Sequence, residues 1–195
     1  MKMASKIFVI SGPSGAGKTS ILQRLFRRKF VRKNFSKSIS YTTRPRRPGE
    51  RGGRDYFFTS RQDFLKLMKK DFFLETQKVL DDYYGTPYVL YRQACRRKKD
   101  LILCIDVKGG KYLKNTFKKD KIISVFIAPP QEKELCRRMK KRGETKNTIC
   151  KRIKLAKKEL AYMRYYDYIV VNDQIEESVD NLEAILRAEQ LRRCR

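Results

Sequence analysis

Gly12-Pro13-Ser14-Gly15-Ala16-Gly17-Lys18-Thr19 follows the apolar run Ile7-Phe8-Val9-Ile10 and leads into a helical pattern with Ile21, Leu22, Leu25 and Phe26 on one side. Strand, glycine-rich loop and helix start, in that order, are the context a Walker A phosphate loop requires. The glycines let successive backbone N–H groups turn inward around an anion without interference from Cβ atoms. The helix N-terminus adds partial positive charge and unpaired donors. In such a loop Lys18 can reach the β- and γ-phosphates of a nucleoside triphosphate, and the Thr19 hydroxyl can sit on Mg²⁺. A glycine-rich turn without a ligand is the alternative; all four fixed positions of the motif, Gly12, Gly17, Lys18 and Thr19, are present and favour nucleoside triphosphate binding.

Working outward, 195 residues suit one domain with small inserted lobes and are ample for a buried core. No signal-peptide pattern and no apolar run near the ~20 residues of a membrane span are present, so no membrane association is expected. The five cysteines, Cys95, Cys104, Cys136, Cys150 and Cys194, are odd in number and widely spaced, and there is no histidine. A zinc site of the usual kind is excluded, and a reduced, cytoplasmic compartment is expected. Lys plus Arg number 48 against 21 Asp plus Glu, a net charge of +27. The basic clusters are scattered, from Arg27-Arg28-Lys29 to Arg192-Arg193, which favours a solvated basic surface over a dedicated stripe. Weak, salt-sensitive attraction to nucleic acid follows from the field alone.

Beyond the first helix the periodic signal breaks near Lys33-Asn34. Residues 36–58, rich in Ser, Thr, Arg, Gly and aromatics, predict short strands and exposed turns. Ser60-x-x-Asp63 predicts a capped helix through about Lys70, and an extended piece surrounds Phe73-Leu74-Glu75. Tyr83-Tyr84-Gly85-Thr86-Pro87 reads as a turn feeding a helix, with Thr86 at N-cap and Pro87 at N1. The runs 101–106, 122–127 and 168–171 alternate with helices, the signature of a buried parallel sheet. The first of them ends in Asp106, like a Walker B strand whose aspartate holds Mg²⁺ directly or through water; an aspartate that only ends a strand is the plainer alternative. Helices are predicted after Pro129-Pro130, around Ile149 to Met163, and over about 176–191.

Together, the phosphate loop, Ser40-x-Thr-Thr-Arg44-x-x-Arg47-x-Gly-Glu, Asp55-Tyr56, Phe73-x-Glu75, Tyr83-Tyr84-Gly85-Thr86 and Val171-Asn172-Asp173 resemble guanylate kinase. The resemblance runs from about Ile7 to Leu186. It implies an α/β fold: a P-loop NTPase core with a parallel sheet flanked by helices, plus an inserted GMP-binding lobe and a lid. The core would take about 1–36, 96–135 and 151–195, the lobe 37–95 and the lid 136–150.

By resemblance, Ser40, Arg44, Arg47, Tyr56 and Tyr84 hold the GMP phosphate. The chemistry fits independently, since a phosphate dianion calls for guanidinium forks and hydroxyl donors; a solvated basic loop is the alternative for the arginines. Glu75 and Thr86 match the positions that read guanine: a carboxylate can accept from N1–H and N2–H₂, and a hydroxyl can donate to O6. Cys104 stands where the family usually has an acid, so guanine discrimination is expected either to be weaker or to rest more fully on Glu75. Asp81-Asp82 replaces the more frequent Gly-Asn. Lys18 supplies one catalytic cation, and the resemblance implies Arg138 and Arg142 from the lid and Arg152 from the helix behind it, although Gly143 to Arg152 is one residue shorter than in typical relatives.

The expected activity is phosphoryl transfer from ATP to GMP, and to dGMP, with Mg²⁺. Two alternatives share the architecture: a ribose-bisphosphate kinase, which would give Glu75 no purpose, and a non-catalytic phosphopeptide-binding module, against which the intact Lys18-Thr19 argues. A basic nucleic-acid-binding ATPase is a third. Oligomeric state is not readable from the residues.

Overall fold

A computed structural model describes residues 5–117, 121–141, 143 and 145–192. The chain divides into two compact units, Met1–Phe8 with Asn34–Ile122 and Val9–Lys33 with Ile123–Arg195. Strand β1 (Ile7–Ser11) is divided between them.

In the first unit β2 (Phe35–Lys37) pairs in parallel with β7 (Asp100–Cys104), and the sheet runs β2-β7-β1. Phe8, Phe35 and Leu101 to Leu103 are almost fully buried, as expected of parallel strands covered on both faces. A second sheet has the order β4-β3-β6-β5, from β3 (Tyr41–Thr42), β4 (Phe57–Phe58), β5 (Phe73–Val79) and β6 (Asp82–Pro87). Helix α3 (Arg61–Lys69) begins where Ser60 accepts from the Asp63 N–H at 3.1 Å, the predicted cap. Phe64 of α3 stacks on Phe73 at 4.7 Å between ring centroids, fastening helix to sheet. Helix α4 (Tyr88–Arg96) follows β6, and α5 (Val107–Thr116) follows β7.

The residues expected to make a turn and a Thr86 N-cap form strand β6 instead, and Pro87 occupies the N-cap. Antiparallel pairing of Thr86 with Glu75 holds this segment extended, a tertiary choice that local turn propensity does not reveal. Strand β7 ends at Cys104, two residues before Asp106, which caps α5 by accepting from the Gly109 N–H at 2.8 Å.

In the second unit the sheet runs β1-β8-β9, with β8 (Ile122–Ala128) buried at every position and parallel to β9 (Tyr168–Val171). Helix α1 (Lys18–Leu25) is followed by the short α2 (Lys29–Asn34). The C-terminal helix α8 (Ile175–Leu191) buries Val179, Leu182 and Leu186. Arg24 pairs with Glu176 and Arg28 with Asp180, both at 2.8 Å, joining α1 to α8. Helices α6 (Glu132–Lys141) and α7 (Lys146–Leu160) pack together. Among the described residues no helix is long and apolar enough to cross a membrane. The subdivision into lobe and lid remains an inference from resemblance.

Candidate active site

The second unit contains the phosphate loop. Gly12 and Gly17 have φ of 141° and 95°, a region L side chains rarely occupy. A Cβ at Gly12 would also overlap the Ile127 carbonyl oxygen, and one at Gly17 the Asn172 amide. The loop therefore requires glycine at both positions for conformation and for space. Pro13, Ser14, Gly15 and Ala16 complete the turn, with the Ala16 N–H donating to the Pro13 carbonyl at 3.1 Å. Lys18 at the start of α1 donates its ammonium to the Gly12 carbonyl and, at 3.0 Å, to the Pro13 carbonyl. No acidic residue stands in the first turn of α1, so its N-terminal field is uncancelled toward an anion.

Two of the predicted arginines come to this loop. Arg138 on α6 donates to the Asn172 carbonyl at 3.0 Å and to the Ala16 carbonyl at 3.5 Å. Arg152 on α7 donates to the Ser14 hydroxyl at 2.7 Å. Arg142 lies outside the described residues. The loop thus gathers Lys18 and two guanidinium groups, a set suited to the negative charge of a transferring phosphoryl group. Asn172 was visible only as part of a motif. Its buried side chain donates to the Ala16 carbonyl at 2.7 Å, and its amide oxygen lies 3.2 Å from the Ser178 hydroxyl. No local pattern predicts that role, because the partner is 156 residues away.

The first unit holds the other predicted residues. Arg44 is 7% exposed, and one of its terminal nitrogens lies 2.8 and 3.0 Å from the two Glu50 oxygens. Glu50 also accepts from the Arg47 backbone N–H at 2.9 Å, so one carboxylate positions both arginine-bearing segments. The Arg44 guanidinium lies 5.5 Å from the Tyr56 ring centroid, and the Tyr56 and Tyr84 rings are 6.0 Å apart. Burial pushes the Tyr56 hydroxyl well above the usual tyrosine range, with Cys104 and Tyr84 adding to the effect, so it remains a neutral donor. Cys104 is half-buried and forms no disulfide.

Glu75, Thr86 and Ser40 form a buried chain. The Thr86 hydroxyl donates to Glu75 at 2.7 Å, and the Ser40 hydroxyl lies 3.2 Å from it. Glu75 and Thr86 are direct cross-strand partners, next to a register shift between Phe73 and Glu75; such irregularities re-aim side chains near functional sites. Burial pushes the Glu75 carboxyl up to about 7, and the charge of Asp106 acts in the same direction while the Thr86 hydrogen bond opposes it. Ser40, expected among the phosphate ligands, thus adjoins in the structure the pair expected to read the base.

A family model described as guanylate kinase matches residues 4–189. The chain is 41% identical over 193 residues to a guanylate kinase of Caldanaerobacter subterraneus subsp. tengcongensis, covering 98% of this chain and 91% of the relative. It is 43% identical over 187 residues to a guanylate kinase of Carboxydothermus hydrogenoformans, covering 95% and 89%. The crystal structure of guanylate kinase from Anaplasma phagocytophilum superposes with a TM-score of 0.81 at 33% identity, covering 98% of this chain and 89% of that one.

Proposed function

Because this chain belongs to the guanylate kinase family, its activity is transfer of a phosphoryl group from ATP to GMP, giving ADP and GDP, and we propose the following roles for its residues. The loop from Gly12 to Thr19 takes the ATP phosphates. Lys18, Arg138 and Arg152, with Arg142 assigned by family resemblance alone, neutralise the moving phosphoryl group. Phosphoryl transfer needs positioning and electrostatic stabilisation more than covalent help, and these cations supply the second.

For the acceptor, Arg44, Arg47, Tyr56 and Tyr84, together with Ser40, bind the GMP phosphate. Glu50 orients Arg44 and the Arg47 backbone. The observation that carries the assignment is the buried Glu75–Thr86 pair. Guanine presents two donors beside one acceptor, and a carboxylate next to a hydroxyl is the complementary set. The bisphosphate-kinase and phosphopeptide alternatives are not favoured by relatives that are themselves guanylate kinases.

Mg²⁺ suits this chemistry. Among the described residues no group of three or more His, Cys, Asp or Glu could hold a metal, a composition that fits an ion bound mainly through phosphates and water with one or two protein oxygens. Thr19, exposed in the first turn of α1, is a hard oxygen donor of the required kind. Asp106, also expected to hold the ion, belongs to the first unit and caps α5 there, so the donor at the phosphate loop is the Thr19 hydroxyl. Bound there, the ion would neutralise charge on the β- and γ-phosphates. The net charge of +27 supports no more than weak nucleic-acid attraction, which should fall steeply between about 50 and 200 mM salt.

The deciding assay follows ADP release with GMP, dGMP, AMP, CMP and UMP side by side. GMP is expected to exceed AMP by about 10²-fold or more in kcat/KM, as sites that hydrogen-bond their substrate reject analogues that leave buried groups unpaired. Equal turnover of AMP would remove the base-reading role from Glu75 and Thr86.

A further inference from the structure

We infer that the absent side chain of Gly109 sets the position of the Glu75 carboxylate, making Gly109 a specificity-positioning residue for the acceptor base. The inference rests on the guanine-reading role proposed for Glu75. Gly109 lies in the first turn of α5, in a φ range that does not require glycine. Helix propensity would favour alanine there. What excludes a side chain is space. A Cβ would stand 2.8 Å from Glu75 Oε2, 3.1 Å from Asp106 Oδ1 and 3.3 Å from the Ile105 side chain.

The Glu75 carboxylate cannot readily give way. Glu75 is 4% exposed, and its other oxygen is held by the Thr86 hydroxyl at 2.7 Å. Thr86 lies 3.2 Å from Ser40 in turn. On the remaining side Asp106 is fixed as the cap of α5 through the Gly109 N–H at 2.8 Å. One carboxylate oxygen therefore sits in the space left by the missing Cβ, and the other is aligned by a hydroxyl. Adding a methyl group would displace the carboxylate, rotate it off Thr86, or drive it against Asp106. Each outcome moves the acceptor atoms relative to a bound base, while the phosphate loop lies in the other unit.

The test is a cycle of Gly109→Ala and Glu75→Asp, in which the shorter acid withdraws the carboxylate by one methylene and reopens the slot. Gly109→Ala alone is expected to raise KM for GMP about 10- to 100-fold, the effect of mismatching one or two buried hydrogen bonds. Its kcat and its KM for ATP should stay within about threefold of the parent, since the loss lies in acceptor binding. In the Glu75→Asp background the same alanine should change KM for GMP by less than about threefold.

An unchanged KM in Gly109→Ala, or an equal loss in both backgrounds, would overturn the inference. Should Gly109→Ala fold poorly, its thermal midpoint decides the matter: recovery in the double variant supports the slot, and no recovery refutes it. The parent separates this result from the reading beneath it. A parent that prefers AMP defeats the guanine assignment, whereas a GMP-selective parent with an unaffected Gly109→Ala variant defeats only the role of Gly109.

Discussion

The Thr86 hydroxyl donates to Glu75 across two paired strands at 2.7 Å, in a region where Glu75 is 4% exposed. The two therefore act as one polar unit, with the hydroxyl committed to the carboxylate. Thr86→Val should leave Glu75 buried without this donor. KM for GMP is expected to rise by roughly 10-fold or more, from a loss of about 1–3 kcal/mol, with KM for ATP little changed. A variant matching the parent for GMP would show that Thr86 does not help to prepare Glu75.

Burial pushes Glu75 from its ordinary 4.5 up to about 7, and this has a stability consequence with a definite sign. The folded state holds the proton more tightly than the unfolded chain. The stabilising contribution is full below about pH 4.5 and is lost as pH rises through about 7, amounting to at most roughly 3 kcal/mol. Glu75→Gln, which cannot ionise, should gain in thermal stability relative to the parent between pH 5 and 8. A difference in melting temperature that is constant over this range would contradict the shift. Guanosine, which lacks the titrating phosphate, should bind the parent more tightly as pH rises toward 8, because the ionised carboxylate is the better acceptor.

Arg44→Ala should weaken GMP by about 2–3 kcal/mol, the range for charge-assisted hydrogen bonds, and leave ATP nearly unaffected. Glu50→Gln should produce the same kind of defect at smaller size, since the guanidinium remains but loses its charged anchor. Isothermal titration with each nucleotide separates the two sites. An ATP defect in Arg44→Ala would place that arginine outside the acceptor site.

Lys18→Ala should lower kcat by at least ~10²-fold, comparable to removing one preorganised transition-state donor. Among the described residues the ammonium donates only to the loop carbonyls of Gly12 and Pro13, so the fold should persist. Circular dichroism checks the fold, and single-turnover kinetics with saturating GMP check the chemical step. Turnover within threefold of the parent would rule out the proposed role of the loop lysine.

Asn172→Ala removes the amide that braces the Ala16 carbonyl. Stability should fall by about 1–3 kcal/mol, and KM for ATP should rise more than KM for GMP. Equal effects on the two substrates would indicate general loosening of the protein instead of a brace for the phosphate loop.

The phosphate loop was legible because its chemistry is contiguous: eight successive residues contain both the turn and its lysine. The alternating apolar runs likewise disclosed the parallel strands, since a strand buried on both faces has little room for polar residues. Thr86 was harder. Gly-Thr-Pro has the local character of a turn and cap, and only pairing with β5 makes it a strand. Asn172 and Gly109 gave no local signal of their roles, because each is defined by the atom it approaches or the space it leaves for a residue distant in the chain. Glu50 stood in a recognised motif, yet its bond to Arg44 depends on how the intervening prolines fold back.

The bond between Asn172 and Ala16 also sets an order of events while the chain is being made. Its two ends are 156 residues apart, which at a synthesis rate of about 5–20 residues per second separates their emergence by roughly 8–30 s. Throughout that interval the nascent phosphate loop lacks its brace and the C-terminal helix that packs against α1, and for most of it Arg138 and Arg152 as well. A ribosome-bound chain ending before Asn172 should therefore retain ATP poorly, although the whole glycine-rich motif has long since left the exit tunnel.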